Sequence, residues 1–156
     1  MSINNPYLQN NAVEREHLIS LAGRLTDGEL SRPLDAGWTV SAFLAHLAFW
    51  DQRALILLDN WEQHGIGPSP MDTDIVNEAM RPHCLAIPPR VAAQLAIGCA
   101  TAIDRAIEQL DPAMLAEVET KGQTVRLDRA HHRRMHLEEI EQALGLSGSR
   151  EWKPGN

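Results

Sequence analysis

The sequence predicts an all-α fold, a four-helix bundle with a long crossover connection between its second and third long helices. Three observations carry this. Apolar residues recur at helical spacing through four long stretches, near residues 11–26, 39–63, 89–110 and 125–144. No segment alternates apolar and polar residues between turn signals, as a half-buried strand would. Proline and glycine gather mainly between the stretches, above all from Gly65 to Pro89.

Residues 1–10 are polar and form a lead-in. The first helix carries Val13, Leu18, Leu21, Ala22 and Leu25, and Thr26-Asp27-Gly28 supplies its stop. His17 lies in this helix and reads as an exposed or capping side chain. Leu30 to Trp38, with Pro33 and Gly37, is a connection.

Thr39 is placed to cap the second helix, which runs to about Gln63 before Gly65. Phe43, Leu44, Leu47, Ala48, Leu55, Leu58 and Trp61 give it a wide apolar stripe, which makes it a core-facing helix. His46 sits inside that stripe. A histidine there is either a satisfied core residue or a metal ligand kept neutral by apolar surroundings.

Residues 65–89 are broken by five prolines, with a short helix expected at Asp74–Met80. A connection this long can cross the end of a bundle. His83 and Cys84 are neighbours in it, but nothing nearby completes a zinc-ribbon spacing. The third helix opens at Pro88-Pro89, and Val91, Leu95, Cys99, Ala102, Ile103 and Ile107 mark its apolar face. Asp111-Pro112 starts a short helical turn that lasts to about Val118.

The fourth helix carries Val125, Leu127, Met135, Ile140, Ala143 and Leu144 before Gly145. Its arginines crowd the first half and its glutamates the second, against the preference of the macrodipole. Trp38, Phe43, Leu47, Leu55, Leu95, Cys99 and Ile103 are the expected core. One domain over residues 1–146 with a polar tail at 147–156 accounts for the chain.

Composition narrows the function. A formal net charge of −7 argues against general affinity for nucleic acid or anionic membrane. No run approaches the ~18 apolar residues of a membrane span. The first residues lack a secretory pattern, and two cysteines make no disulfide framework, so a cytoplasmic protein is expected.

The chemistry-bearing stretch is His132-Arg133-Arg134-Met135-His136. Histidines four apart on a helix sit about 40° apart around the axis and one turn apart along it, so both can face one divalent ion. His131 lies about 100° round from His132. There is no His-Glu-x-x-His, which disfavours a zinc peptidase. Arg129 and Arg133, one turn back from the histidines, are candidates to hold a substrate carboxylate, and Trp50, one turn from His46, is a further substrate-binding candidate. Singly, each arginine reads more simply as a solvent-facing group, with Arg134 and Glu138 as an i,i+4 pair. Asp51 is a candidate fourth ligand or supporting group, although five residues on from His46 it points well away from it.

Two segments resemble the DinB-like family of metalloenzymes, relatives of the mycothiol-dependent maleylpyruvate isomerases and thiol transferases. They are Gly37-Trp38-Thr39-Val40 followed by Leu44-Ala45-His46-Leu47-Ala48-Phe49-Trp50, and His132-Arg133-Arg134-Met135-His136-Leu137-Glu138-Glu139-Ile140. With their order and spacing, the resemblance spans roughly residues 11–145. It implies a four-helix bundle with His46, His132 and His136 around a divalent metal ion: zinc, nickel, iron or manganese. It implies a small-molecule substrate, a low-molecular-weight thiol activated by the ion in a thiol S-transferase, or else a water activated for hydrolysis. It also implies a homodimer, to which Leu57 and Trp61 would contribute apolar surface. The competing expectation is a non-catalytic helical binding or stress-response protein with a vestigial or empty metal site.

Overall fold

The computed structural model describes residues 5–146, so the tail 147–156 lies outside the described residues. The described chain is all-helical: α1 (Tyr7–Arg24), α2 (Asp27–Leu30), α3 (Val40–His64), α4 (Thr73–Ala86), α5 (Pro89–Glu108), α6 (Pro112–Thr120) and α7 (Ala130–Ala143), with single 3₁₀ turns at Asp35–Gly37 and Thr124–Arg126. Among the described residues, no helix is long and apolar enough to cross a membrane.

Local chemistry sets most boundaries. Thr26 both follows α1 and opens α2: its hydroxyl accepts from the Glu29 N–H while Glu29 reaches back to the Thr26 N–H, a reciprocal cap. Thr39 caps α3 by accepting from the Ala42 N–H at 3.1 Å. Gly65 ends α3 at φ 95°, a conformation that favours glycine. Helix α4 extends well past the expected Asp74–Met80. It contains Pro82, which removes one backbone donor.

The expected fourth helix, 125–144, divides. A 3₁₀ turn gives way at Leu127–Arg129, and α7 starts only at Ala130. The reason is a cap supplied from another helix. Asn11 on α1, buried, accepts from the N–H groups of Arg129 and Ala130 at 3.0 and 2.9 Å and donates to the Leu127 carbonyl at 2.9 Å. It satisfies donors that a helix start leaves without internal partners.

Helices α3 and α5 pack most extensively, α1 lies against α5 and α7, and α4 lies on α3. Leu47 and Ile103 are buried as expected, whereas Trp38, Phe43, Leu55 and Cys99 are only partly covered. Leu95 is a correction: it is 43% exposed. The buried stripe of α5 is Ala92, Ala93, Ala96, Ala100, Ile103 and Ile107. Small side chains let α3 approach closely, which turns Val91 and Leu95 outward. Leu57 and Trp61, expected to leave apolar surface, are buried within this chain, and the Trp61 indole donates to the Gly67 carbonyl at 3.0 Å.

Candidate metal centre

His46 and the pair His132 and His136 come together between α3 and α7. One ligand atom from each lies within 4.8 Å of the other two, so the trio can hold a metal ion. The Nε2 atoms of His46 and His132 are 3.1 Å apart. Two nitrogens about 2.0–2.1 Å from one tetrahedral ion would be about 3.3 Å apart, so the spacing fits. His131 is exposed and its backbone N–H points to Asp128, which leaves His132 as the histidine on the inward face.

Electrostatics favour the same reading. Burial, with the His136 charge added, pushes His46 down to about 4. Burial pushes His132 to about 2, helped by His136, His46, Arg129 and Arg133, and burial brings His136 to about 4. All three imidazoles are therefore neutral at pH 7, the form that binds a metal. The Nδ1 atoms of His46 and His136 are buried without a hydrogen-bond partner among the described residues. Glu139 Oε1 lies 3.3 Å from His136 Nδ1, at ion-pair distance without hydrogen-bonding geometry.

Aromatic rings wall the trio. Trp38 stands edge-on to His46 at 5.5 Å, Phe43 to His136 at 4.8 Å, and Trp50 to His46 at 6.3 Å. The Trp50 indole donates to Asn77 Oδ1 at 3.1 Å, which ties α4 to α3 beside the site. The histidines open onto a cleft of about 750 Å³ that also takes in Arg126, Arg129 and Met135.

Behind the histidines lies an ion network that the sequence did not disclose. Arg133 is wholly buried. Its guanidinium donates to both oxygens of Asp104, at 2.9 and 2.8 Å, and to Asp51 at 3.2–3.3 Å. It also donates to the backbone carbonyls of Asn11 and Ala100. Arg15 reaches Asp104 at 2.8 Å and Arg129 Nε reaches Asp51 at 2.9 Å. One arginine thus joins α1, α3, α5 and α7. The expected carboxylate-holding role does not suit Arg133, which faces this interior and not the cleft; Arg129 and Trp50 do line the cleft. The one available signal was Asp104, a carboxylate on the buried face of α5 next to Ile103.

His17 departs further from expectation. It is buried, with Nδ1 3.0 Å from Glu14 and Nε2 against Glu141, so it bridges α1 and α7. Burial alone would raise Glu14, but hydrogen bonds from His17 and Arg134 outweigh it and hold the carboxyl below its usual range. Arg134 therefore reaches across to Glu14, at 3.1 Å.

Neither cysteine is primed as a nucleophile. Burial raises the thiol of Cys84, and burial together with Asp51 raises that of Cys99. His64 and His83 are exposed and distant in sequence from the trio.

In comparisons with known proteins, no family model, curated protein or solved structure matches the chain.

Proposed function

We propose that the protein is a metal-dependent enzyme of the DinB-like type, built as a four-helix bundle of α1, α3, α5 and α7 with α4 in the crossover. The observation that carries the reading is the convergence of three neutral histidines at the cleft. Three protein ligands leave coordination positions for a small molecule, as catalytic sites require and closed structural sites do not.

When bound there, a divalent ion would lower the pKa of a coordinated thiol or water and so supply a nucleophile at neutral pH. Transfer of a low-molecular-weight thiol to a small electrophile is the favoured reaction, and two observations support it. The chain's own thiols are raised rather than activated, so the sulfur nucleophile would come from outside. The aromatic wall of Trp38, Phe43 and Trp50 suits an organic substrate better than bulk water.

The protein's residues have distinct tasks. His46, His132 and His136 present lone pairs, the Arg133 network ties α7 to α1, α3 and α5, and Asn77 orients Trp50. The test is metal analysis of the purified protein followed by assay of thiol and electrophile pairs. The reading predicts about one equivalent of divalent metal per chain and metal-dependent consumption of one such pair. Protein that neither carries nor takes up an ion ends it.

We also propose a homodimer. It now rests on the outer flanks of α3 and α5, where Phe49, Ile56, Val91 and Leu95 are each at least 41% exposed. Sedimentation as a monomer at micromolar concentration would end this idea.

A further inference from the structure

We infer that Arg126 and Arg129 form an anion subsite at the α7 N-terminal end of the cleft, and that it takes a small monocarboxylate with a flat, unsaturated body. The inference deepens the proposed reaction and rests on reading the cleft as its site.

Arg129 has only 10% of its side chain exposed, and its one side-chain bond goes from Nε to Asp51. Its two terminal nitrogens bond to no described residue, and the side chain lines the cleft. It stands three residues before His132, so the two side chains are neighbours on one helix face. Arg126 also lines the cleft. It donates one terminal nitrogen to the Ser69 carbonyl at 3.1 Å and keeps a buried Nε without a partner among the described residues. Arg53 is tied to the same Ser69 at 2.8 Å through its carbonyl and 2.6 Å through its hydroxyl. Burial, and then the charges of Arg126 and Arg129, hold the Arg53 guanidinium below its usual range.

Arg126 and Arg129 therefore line the cleft together, and the Arg53 guanidinium lies close enough to feel both charges. Among the described residues the only carboxylate bonded to any of them is Asp51, which Arg133 already shares. In a chain of net charge −7 these neighbouring positive charges are unexpected, and a ligand anion would neutralise them.

The opposite end selects the kind of anion. Glu139 lies ten residues beyond Arg129, about 15 Å along the helix axis. Asp35 lines the same cleft, so a second carboxylate accompanies it there. Asp74 and Glu78 of α4 also line the cleft, so Arg126 and Arg129 are the only guanidinium groups of a lining that carries four carboxylates. A dianion such as a phosphate ester would be repelled at the far end. A monocarboxylate can seat its charge on the arginines, whose planar donors match it. Its body would then lie toward the histidines and the indole faces of Trp38 and Trp50.

Calorimetric titration of the full chain, metal-free, with benzoate and with its neutral counterpart benzamide tests this. Benzoate should bind at least about ten-fold more tightly than benzamide, as a charged hydrogen-bonded contact implies. Arg126→Gln and Arg129→Gln should each remove most of that preference, while Arg105→Gln on the exposed side of α5 keeps it. Arg129→Gln also cuts the bond to Asp51, so Arg126→Gln decides if that variant fails to fold. Equal binding of benzoate and benzamide, or a preference untouched by Arg126→Gln, overturns the inference. Because the ion is absent from this titration, failure of the metal reading would show separately in metal analysis.

Discussion

Arg133 and Asp104 meet through two parallel hydrogen bonds of 2.9 and 2.8 Å, with the arginine wholly buried and the aspartate 5% exposed. Removing one partner strands the other charge in the interior. Asp104→Ala should therefore cost roughly 3–5 kcal/mol of stability, the usual penalty for breaking a buried pair. Urea denaturation checks it; a loss under 1 kcal/mol would show that the pair is dispensable.

His46→Ala, His132→Ala and His136→Ala should each abolish tight zinc binding. His64→Ala, His83→Ala and the exposed His131→Ala should leave it intact. His17→Ala should spare the metal yet destabilise the protein, since it leaves Glu14 and Glu141 without their shared partner. Metal content after dialysis reads the first effect, and thermal melting the second. Retention of metal by His132→Ala together with its loss from His131→Ala would show that the other histidine is the ligand.

The depressed histidines make stability depend on pH. A histidine that stays neutral in the fold but protonates near 6.5 when unfolded favours unfolding as pH falls. The penalty is absent above about pH 6.5 and grows below it. For His46 and His136 it grows until about pH 4, where the folded form also protonates, and for His132 it continues to about 2. Metal-free protein should accordingly lose stability between pH 7 and 5, and His46→Leu should flatten that slope. An unchanged slope in the variant would show that the trio is not the source.

Asn11→Ala should cost about 1–2 kcal/mol, as loss of a helix cap does. The cap is remote in sequence and sets where α7 begins. The same variant should weaken zinc binding, since supporting contacts typically contribute 10–100-fold to metal affinity. Competition with a chelator measures it. Undiminished affinity would mean that the Arg133 network positions His132 without Asn11.

The sequence reading succeeded where one residue type dominates a local pattern. Helices α3 and α5 were legible because their caps and prolines bracket long apolar runs, and His132 with His136 because their spacing is a property of one helix. It failed where a partner lies far along the chain. The Val91–Leu95 face and the alanine face of α5 are both apolar, and only the close approach of α3 selects the smaller residues. His17 and Arg133 look like solvent-facing charges until Glu141, Asp51 and Asp104 arrive from other helices. The late start of α7 required Asn11, more than a hundred residues earlier.

The two sides of the cleft are unequally held. Histidines of α7 stand on a helix locked by ion pairs to three others, whereas α4 buries only Met80 and Cys84 and carries Pro82, which lacks a backbone donor, between them. Its outer half, Thr73–Glu78, is held mainly by Val76 and the single Trp50–Asn77 bond. Local opening concentrates where few apolar contacts oppose it. Traffic into and out of the cleft would therefore pass on the α4 side, by displacement of that half-helix, while the ligand geometry stays fixed. Access to the cleft would then depend on residues 73–78, and the spacing of the three histidines on the interior network.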